Sequence, residues 1–300
     1  MIVTVIGLGL IGGSIAKDLR RAGFTSQIIG IDSKPEHQAR AQELGIVDCC
    51  MPFDEGVKAA DIVVVAIPVD KIVGIMPKVL DLIDPSASVT DVGSTKKLIG
   101  DAVRNHQRRG NYVAAHPMSG TENSGPDAAI EGLFEEKICI ICDQQLSRPQ
   151  HLALIEKMYH SIGMDIAFMS ADEQDHTSAH VSHLPHITAF ALANAVLASN
   201  DRQIIFDLAS GGFRSTARLA KSSPEMWGPI FKQNLDYVVE SLNVYINHLE
   251  EFKTSLLEPD ETHMYQLMKN ANRIREILNG ESHNLVRKKS TTTKLYTKNI

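Results

Sequence analysis

An α/β fold, with an N-terminal doubly wound sheet followed by an all-helical domain, is predicted by three observations. Short apolar runs alternate with helical stretches until about residue 170, where the β-rich runs stop. Several runs are unbroken, as in Ile62-Val63-Val64-Val65-Ala66, which suits central parallel strands covered on both faces. A glycine-rich turn joins the first such run to the first helical stretch.

Strands are expected at 2–6, 27–31, 62–66, 87–91, 111–115, 137–142 and 164–168, with helices between them at 11–22, 35–44, 70–80, 95–107 and 149–161. This alternation is the grammar of repeated βαβ units. The second half predicts a long helix at 172–199, kinked or split by Pro185, then helices at 201–209, 214–221, 224–256 and 260–279. The domain boundary falls near 168–172. The expected division is residues 1–170, residues 171–282, and a loosely ordered basic tail at 283–300. Arg287, Lys288, Lys289, Lys294 and Lys298 make that tail basic, and it is either loose or laid on a partner subunit.

Composition narrows the function. The 300 residues are 43% hydrophobic and 22% charged with a formal net charge of -6, which gives no footprint for nucleic acid or an anionic membrane. A local positive pocket for an anionic substrate stays compatible with that charge. The start, Met1-Ile2-Val3-Thr4-Val5-Ile6, is a strand with no basic segment before it, so no signal peptide is expected. Nor is there a run of the ~18 apolar residues that a membrane span needs. The four cysteines, Cys49, Cys50, Cys139 and Cys142, have no nearby histidine to complete a compact zinc site. Reduced thiols, a cytoplasmic location and no metal are expected.

Gly7-Leu8-Gly9-Leu10-Ile11-Gly12-Gly13 follows the first strand and opens a helix. Gly7 permits the tight turn, Gly9 lets a pyrophosphate approach the backbone, and Gly12 lets helix and sheet pack closely. The free N–H groups at the helix start, at Leu10 and Ile11, favour the negative pyrophosphate. Asp32 ends the second strand, next to Ser33, at the ~20-residue distance of a ribose-binding acid. Its charge opposes a 2′-phosphate, so NAD is favoured over NADP, with Lys34 able to offset part of that repulsion. Ala66-Ile67-Pro68 and Asp91-Val92-Gly93-Ser94-Thr95-Lys96 close later strands and are expected to reach the nicotinamide half. Ser94 is also a candidate N-cap for the helix after it.

His116-Pro117-Met118-Ser119-Gly120-Thr121-Glu122 follows the strand at 111–115, so His116 is expected at the ligand crevice as a general base for a substrate hydroxyl, supported by Ser94. His176, His180 and His183 share one helix face, but no acid or cysteine is paired with them, and a metal is not expected. His186 lies beyond Pro185 and is free to turn toward a cleft. Gly211-Gly212-Phe213-Arg214-Ser215-Thr216-Ala217-Arg218 places two arginines four apart on a helix. Their planar forks suit a substrate carboxylate, and a solvated helix face is the plainer alternative. Taken alone, these residues leave open a β-hydroxyacid dehydrogenase or an NAD-sensing binding protein. The first usually works through a lysine, and the second has no need of His116, Ser94 and Arg218 together.

The motifs, in this order, resemble the prephenate dehydrogenase family, which includes arogenate and cyclohexadienyl dehydrogenases of tyrosine biosynthesis. The resemblance covers about residues 1–280, and its most specific pieces are His116 to Glu122 and Ser182-His183-Leu184-Pro185-His186. It implies oxidative decarboxylation of prephenate to 4-hydroxyphenylpyruvate with NAD, or of arogenate by a related or dual-specificity enzyme. It implies that His116 meets the ring hydroxyl with Ser94 in support. His183, His186, Glu122, Ser119, Thr121, Gly212 and Arg214 would line the pocket, and Arg218 would bind a carboxylate. It also implies a homodimer through the helical half, with Met226, Trp227, Phe231, Leu235, Val239 and Leu242 on a broad buried face. Two positions depart from the pattern. Ser215 stands where many relatives have an acid, which weakens a gating ion pair there, and Val92 replaces a frequent glutamine. With too few residues after about 280 for a regulatory domain, any inhibition by tyrosine is expected at the active site.

Overall fold

The structure is a computed structural model that describes residues 1–199, 202–278 and 287–288. The first half alternates β1 (Ile2–Ile6), α1 (Leu10–Arg21), β2 (Gln27–Ile31), α2 (Pro35–Glu43), β3 (Cys49–Cys50), α3 (Phe53–Lys58), β4 (Ile62–Val65), α4 (Val69–Leu82), β5 (Ser88–Asp91) and α5 (Lys97–Ala102). It continues through β6 (Tyr112–Pro117), β7 (Ile138–Cys142), α6 (Pro149–Ser161) and β8 (Asp165–Met169). The sheet order is β3-β2-β1-β4-β5-β6-β7-β8, and a short β9 (Arg287–Lys288) pairs antiparallel with β8. The rest of the basic tail lies outside the described residues.

The chain winds outward from β1 in both directions, with β2 on one side and β4 on the other. That reversal opens a crevice beyond the carboxyl ends of β1 and β4, where such sheets take ligands. One face of the sheet buries Val3, Val5 and Val64 beneath Ile15, Leu19 and Ile155 of the covering helices. The other buries Val63, Val65 and Val89 beneath Ile72, Met76 and Leu80. A strand apolar on both faces reads the same in either direction. The sequence pattern therefore does not reveal that β7 runs antiparallel to β6. No α-helix crosses between them, only a loop with a single 3₁₀ turn, so the parallel geometry is not imposed.

The second half is helical throughout its described residues up to 278: α7 (Ala171–Ser178), α8 (Leu184–Leu197), α9 (Arg202–Asp207), α10 (Gly211–Ala217), α11 (Pro224–Gln233), α12 (Leu235–Ser255), α13 (Thr262–Ala271) and α14 (Ile274–Leu278). The expected helix at 172–199 is split, and the break is a π-helical segment, Ala179–His183, just before Pro185. Proline offers no N–H to the carbonyl four residues back and crowds it, and a widened turn relieves both problems. The expected helix at 224–256 also breaks, at Asn234, whose φ of -112° and ψ of 33° leave the helical range. The helix expected at 95–107 is cut to α5. Val69 of α4 packs on Trp227 and Ile230 of α11, with Phe190 and Phe231 beside them, joining the two halves. Among the described residues, no helix is long and apolar enough to cross a membrane.

Candidate active site

The glycine turn is built as its sequence requires. Gly7 has φ +97°, and a Cβ there would lie 2.4 Å from the Ala66 carbonyl oxygen. A Cβ on Gly12 would lie 2.0 Å from the Gly7 oxygen, so α1 packs directly on the turn. Gly9 is different: the nearest atom to its absent Cβ is Gly125 N at 4.0 Å, which leaves room beside the backbone. No side chain caps α1. Asp32 accepts hydrogen bonds from the backbone N–H of Leu8 and of Lys34, each at 2.9 Å, and so ties the end of β2 to the turn. Ala66 and Ile67 are half-buried at the end of β4, while Ser33 and Pro68 are exposed.

The next loop folds around a buried carboxylate. Asp91 accepts from the Tyr112 hydroxyl at 2.6 Å and from Gly93 N at 2.9 Å, and it pairs with the Lys96 ammonium. Both side chains of that ion pair are fully buried, so neither charge has water to fall back on. Burial, then Asp91, pushes the Tyr112 hydroxyl well above its ordinary range. Asp175, on α7, accepts from Lys96 N at 2.7 Å and Lys97 N at 2.9 Å. A carboxylate from the second half thus satisfies amides at the N-terminus of α5 in the first. Burial raises the Asp175 pKa, and the two backbone bonds oppose that rise. Ser94 is not the cap it resembled: α5 starts at Lys97, and Ser94 Oγ is buried with no partner among the described residues.

His116 lies near the end of β6, buried to 8% exposure. Its Nδ1 is 2.9 Å from Gln174 Nε2, which also donates to the Ser94 carbonyl at 3.0 Å and to Ser178 Oγ at 2.6 Å. Burial first, then Lys96 and His183, lowers the His116 pKa to about 3, so the ring is neutral at ordinary pH. His183 closes the π-helical segment, with Nδ1 3.1 Å from Asn234 Nδ2. Burial, then His186, lowers its pKa to about 4. His186 turns its Nδ1 to the Ser182 carbonyl at 2.8 Å and stacks on Trp227 with ring centroids 3.5 Å apart. Burial also lowers its pKa, with a smaller push from Arg218. Ser94 Oγ, Gln174 Oε1, His183 Nε2 and Trp227 Nε1 are all buried without a hydrogen-bond partner among the described residues. Such atoms are rare in protein interiors, and four of them fall together on the residues of this site, while Asp18 Oδ2, Arg109 Nε, Asn111 Oδ1 and His151 Nε2 are the others among the described residues.

At the exposed rim, Arg218 reaches Glu122 at 3.5 Å. The other sequence candidates are engaged elsewhere. Ser119 donates to the Leu133 carbonyl at 2.8 Å, and Thr121 Oγ1 accepts from Asn123 N at 3.2 Å, both shaping their own loop. Arg214 donates to the Ala209 carbonyl at 3.2 Å and stays exposed. Gly212 lies in the first turn of α10, where its carbonyl accepts from Ser215 and Thr216. Sequence reasoning passed over Gln174, Asp175 and Asn234. Lys96 and Asp91 stood inside a quoted motif without a role.

A doubly wound sheet with this glycine turn, an acid ending its second strand and a neutral histidine at its crevice defines a two-domain, dinucleotide-binding oxidoreductase. Residues 15–168 match the nucleotide-binding domain of prephenate dehydrogenase, and residues 170–270 match its dimerization domain. The chain belongs to the prephenate dehydrogenase family. It is 32% identical over 278 residues to a Bacillus subtilis prephenate dehydrogenase, covering 91% of this chain and 75% of that one. It is 30% identical over 284 residues to a Zymomonas mobilis cyclohexadienyl dehydrogenase, covering 91% and 94%. The prephenate dehydrogenase of A. aeolicus, solved in complex with hydroxyphenyl propionate and NAD+, superposes with a TM-score of 0.85 at 32% identity, covering 93% of this chain and 98% of that one.

Proposed function

We propose that this protein is a cytoplasmic, NAD-dependent prephenate dehydrogenase. The observation that carries the reading is the buried, neutral His116 beside an unpaired Ser94 hydroxyl at the carboxyl ends of β5 and β6. The unpaired cysteines agree with a reducing compartment. Residues 1–170 hold the dinucleotide, and residues 171–282 complete the substrate pocket and form a homodimer.

NAD, when bound, supplies the hydride acceptor. The backbone at Gly7, Gly9, Leu10, Ile11 and Gly12 would hold its pyrophosphate. Asp32 and Ser33 would hold the adenosine ribose, and Ala66, Ile67, Pro68 and Ser94 the nicotinamide half. Asp32 keeps lone pairs beyond those used by Leu8 and Lys34, so it can still accept from a ribose hydroxyl. Its charge resists a 2′-phosphate.

Arg218 binds a carboxylate of the dianionic substrate, with Glu122 holding the arginine in place meanwhile. His183, His186, Ser119, Thr121, Gly212 and Arg214 surround the rest. The balance of the reaction sets the task of His116. Prephenate loses carbon dioxide from one ring carbon and a hydride from the carbon bearing the hydroxyl, and the electrons of the broken C–C bond complete the aromatic ring. The product is a phenol that keeps its hydroxyl proton. His116 therefore has to hold and orient that oxygen, and no net proton removal is asked of it.

The test is to mix protein, NAD and prephenate and follow NADH and carbon dioxide together. Both should form in equal amounts. NADH without carbon dioxide, or neither, overturns the reading. Arogenate and NADP are run in parallel, because the Zymomonas mobilis relative is a cyclohexadienyl dehydrogenase. Faster turnover of arogenate would favour that second reading.

A further inference from the structure

Ser94 Oγ is buried with no partner among the described residues, so only the backbone fixes where that hydroxyl lies. The backbone there is neither strand nor helix, since β5 ends at Asp91 and α5 begins at Lys97. Among the described residues, the hydrogen bonds of Ser94 and Thr95 both cross to the helical half. Gln174 Nε2 donates to the Ser94 carbonyl at 3.0 Å, and Thr95 Oγ1 donates to Gln233 Oε1 at 2.7 Å. The second bond stands whichever way the Gln233 amide is turned, because a hydroxyl donates to its oxygen or accepts from its nitrogen. Thr95 is 1% exposed, so water does not take the place of that bond. Gln233 is the last residue of α11, and Trp227, Ile230 and Gln233 recur at every third position along one face of it. Trp227 and Ile230 pack on Val69, the residue after Pro68. Asn234 Nδ2, just beyond, donates to the Asp175 carbonyl at 2.7 Å and pins the end of the helix. One helix thus grips both loops assigned above to the nicotinamide half, by apolar contact at Val69 and by a hydrogen bond at Thr95.

We propose that Gln233 is a positioning residue: through Thr95 it places the Ser94 hydroxyl, and α11 thereby keeps the two loops at a fixed separation. Its hold differs from that of Asp175. Asp175 bonds the amides of Lys96 and Lys97, where α5 begins, and so fixes the start of that helix. Gln233 bonds the neighbour of Ser94, so losing it moves a hydroxyl and leaves the helix start in place. The catalytic end of this inference rests on the dehydrogenase reading above, whereas the hold on the loop does not.

Hydrogen exchange of the full-length protein without ligands reads the hold. Thr95→Val keeps the shape of the side chain and removes the bond, and Gln233→Met removes it from the other side. In each variant the segment 92–97 should exchange about three- to tenfold faster, the worth of one hydrogen bond. Thr95→Ser keeps the hydroxyl and should exchange as the wild type does. Unchanged exchange in both Thr95→Val and Gln233→Met overturns the hold. Should Thr95→Val fail to fold, Gln233→Met, at a half-buried helix end, carries the same test. With prephenate, each of the two should lower kcat about tenfold with the Kd for NAD nearly unchanged, and Thr95→Ser should restore it. The double variant should lose no more than either single one, because both remove the same bond. Losses that multiply, or a kcat that stays at the wild-type value while the segment exchanges faster, overturn the positioning role. So does a fall in kcat matched by an equal weakening of NAD binding. Wild-type protein that fails to turn over prephenate would sink the functional reading and leave the exchange result standing.

Discussion

The two halves of the molecule complete their cores to different degrees. In the sheet half, apolar residues of β1, β4 and β6 are buried on both faces under their own helices. In the helical half, α8 reads LPHITAFALANAVL, yet Ala189 is its only buried residue. Farther on, Val244, Ile246 and Leu249 of α12 are about half exposed. A chain that hides valine so thoroughly in one half and displays it in the other has one finished core and one that lacks a surface to pack against. Exposed apolar area of this kind marks an association face. It agrees with the match of residues 170–270 to a dimerization domain.

The largest expected effect tests the finished half. Lys96→Met leaves Asp91 as a buried carboxylate without its cation, and breaking such a pair costs about 3–5 kcal/mol. Urea unfolding should show a loss of that size. A loss below about 1 kcal/mol would mean that Tyr112 and Gly93 suffice for Asp91. The site joins the halves, and its two contributions should separate in kinetics. His116→Asn, in the sheet half, should lower kcat by about 10²-fold, the cost of misplacing the reacting oxygen, with NAD binding intact by calorimetry. Arg218→Ala, in the helical half, should instead raise the KM for prephenate by roughly ten- to a hundredfold with a smaller change in kcat.

Acid tests both halves at once. His116 titrates near pH 3 and His183 near pH 4 when folded, both below their value of about 6.5 in the unfolded chain. The unfolded chain therefore binds protons first. The stability these rings contribute is complete above about pH 6.5 and falls as pH drops toward their folded values. Thermal unfolding between pH 7 and 5 should show this decline, and His183→Gln should flatten it. The smallest effect on folding, and the sharpest on the comparison, is Ile246→Asp. It should alter the stability of the 32.9 kDa protomer by no more than about 0.5 kcal/mol while light scattering shifts from dimer to monomer mass. A wild-type protein already monomeric at micromolar concentration would remove the contrast.

What the sequence disclosed follows how local the chemistry is. Gly7, Gly9 and Gly12 announce themselves because the turn and the strand before it are adjacent in the chain. His116 stands out because a titratable group at a strand end is unusual. Gln174 and Asn234 do not: an amide has no periodic pattern, and they act across separations of 58 and 51 residues. The arginines show the limit in the other direction. Arg214 and Arg218 share a motif and a spacing, yet a 3₁₀ turn at Arg218–Lys221 follows α10 and only Arg218 meets Glu122. The antiparallel β7 was equally unreadable, and at Pro185 the sequence disclosed the break but not its π-helical form, since both depend on where the chain goes next.

Asp175 bears on how this protein can be taken apart and rebuilt. It belongs by position to the helical half, but its carboxylate holds the backbone of Lys96 and Lys97 in the sheet half. A cut near residue 170 would free a fragment with its cofactor turn whole and its Ser94 loop undone. A chimera that exchanges substrate domains between relatives would fail at the same seam. The exchangeable unit is instead the sheet together with α7, with the crossover placed after Ser178.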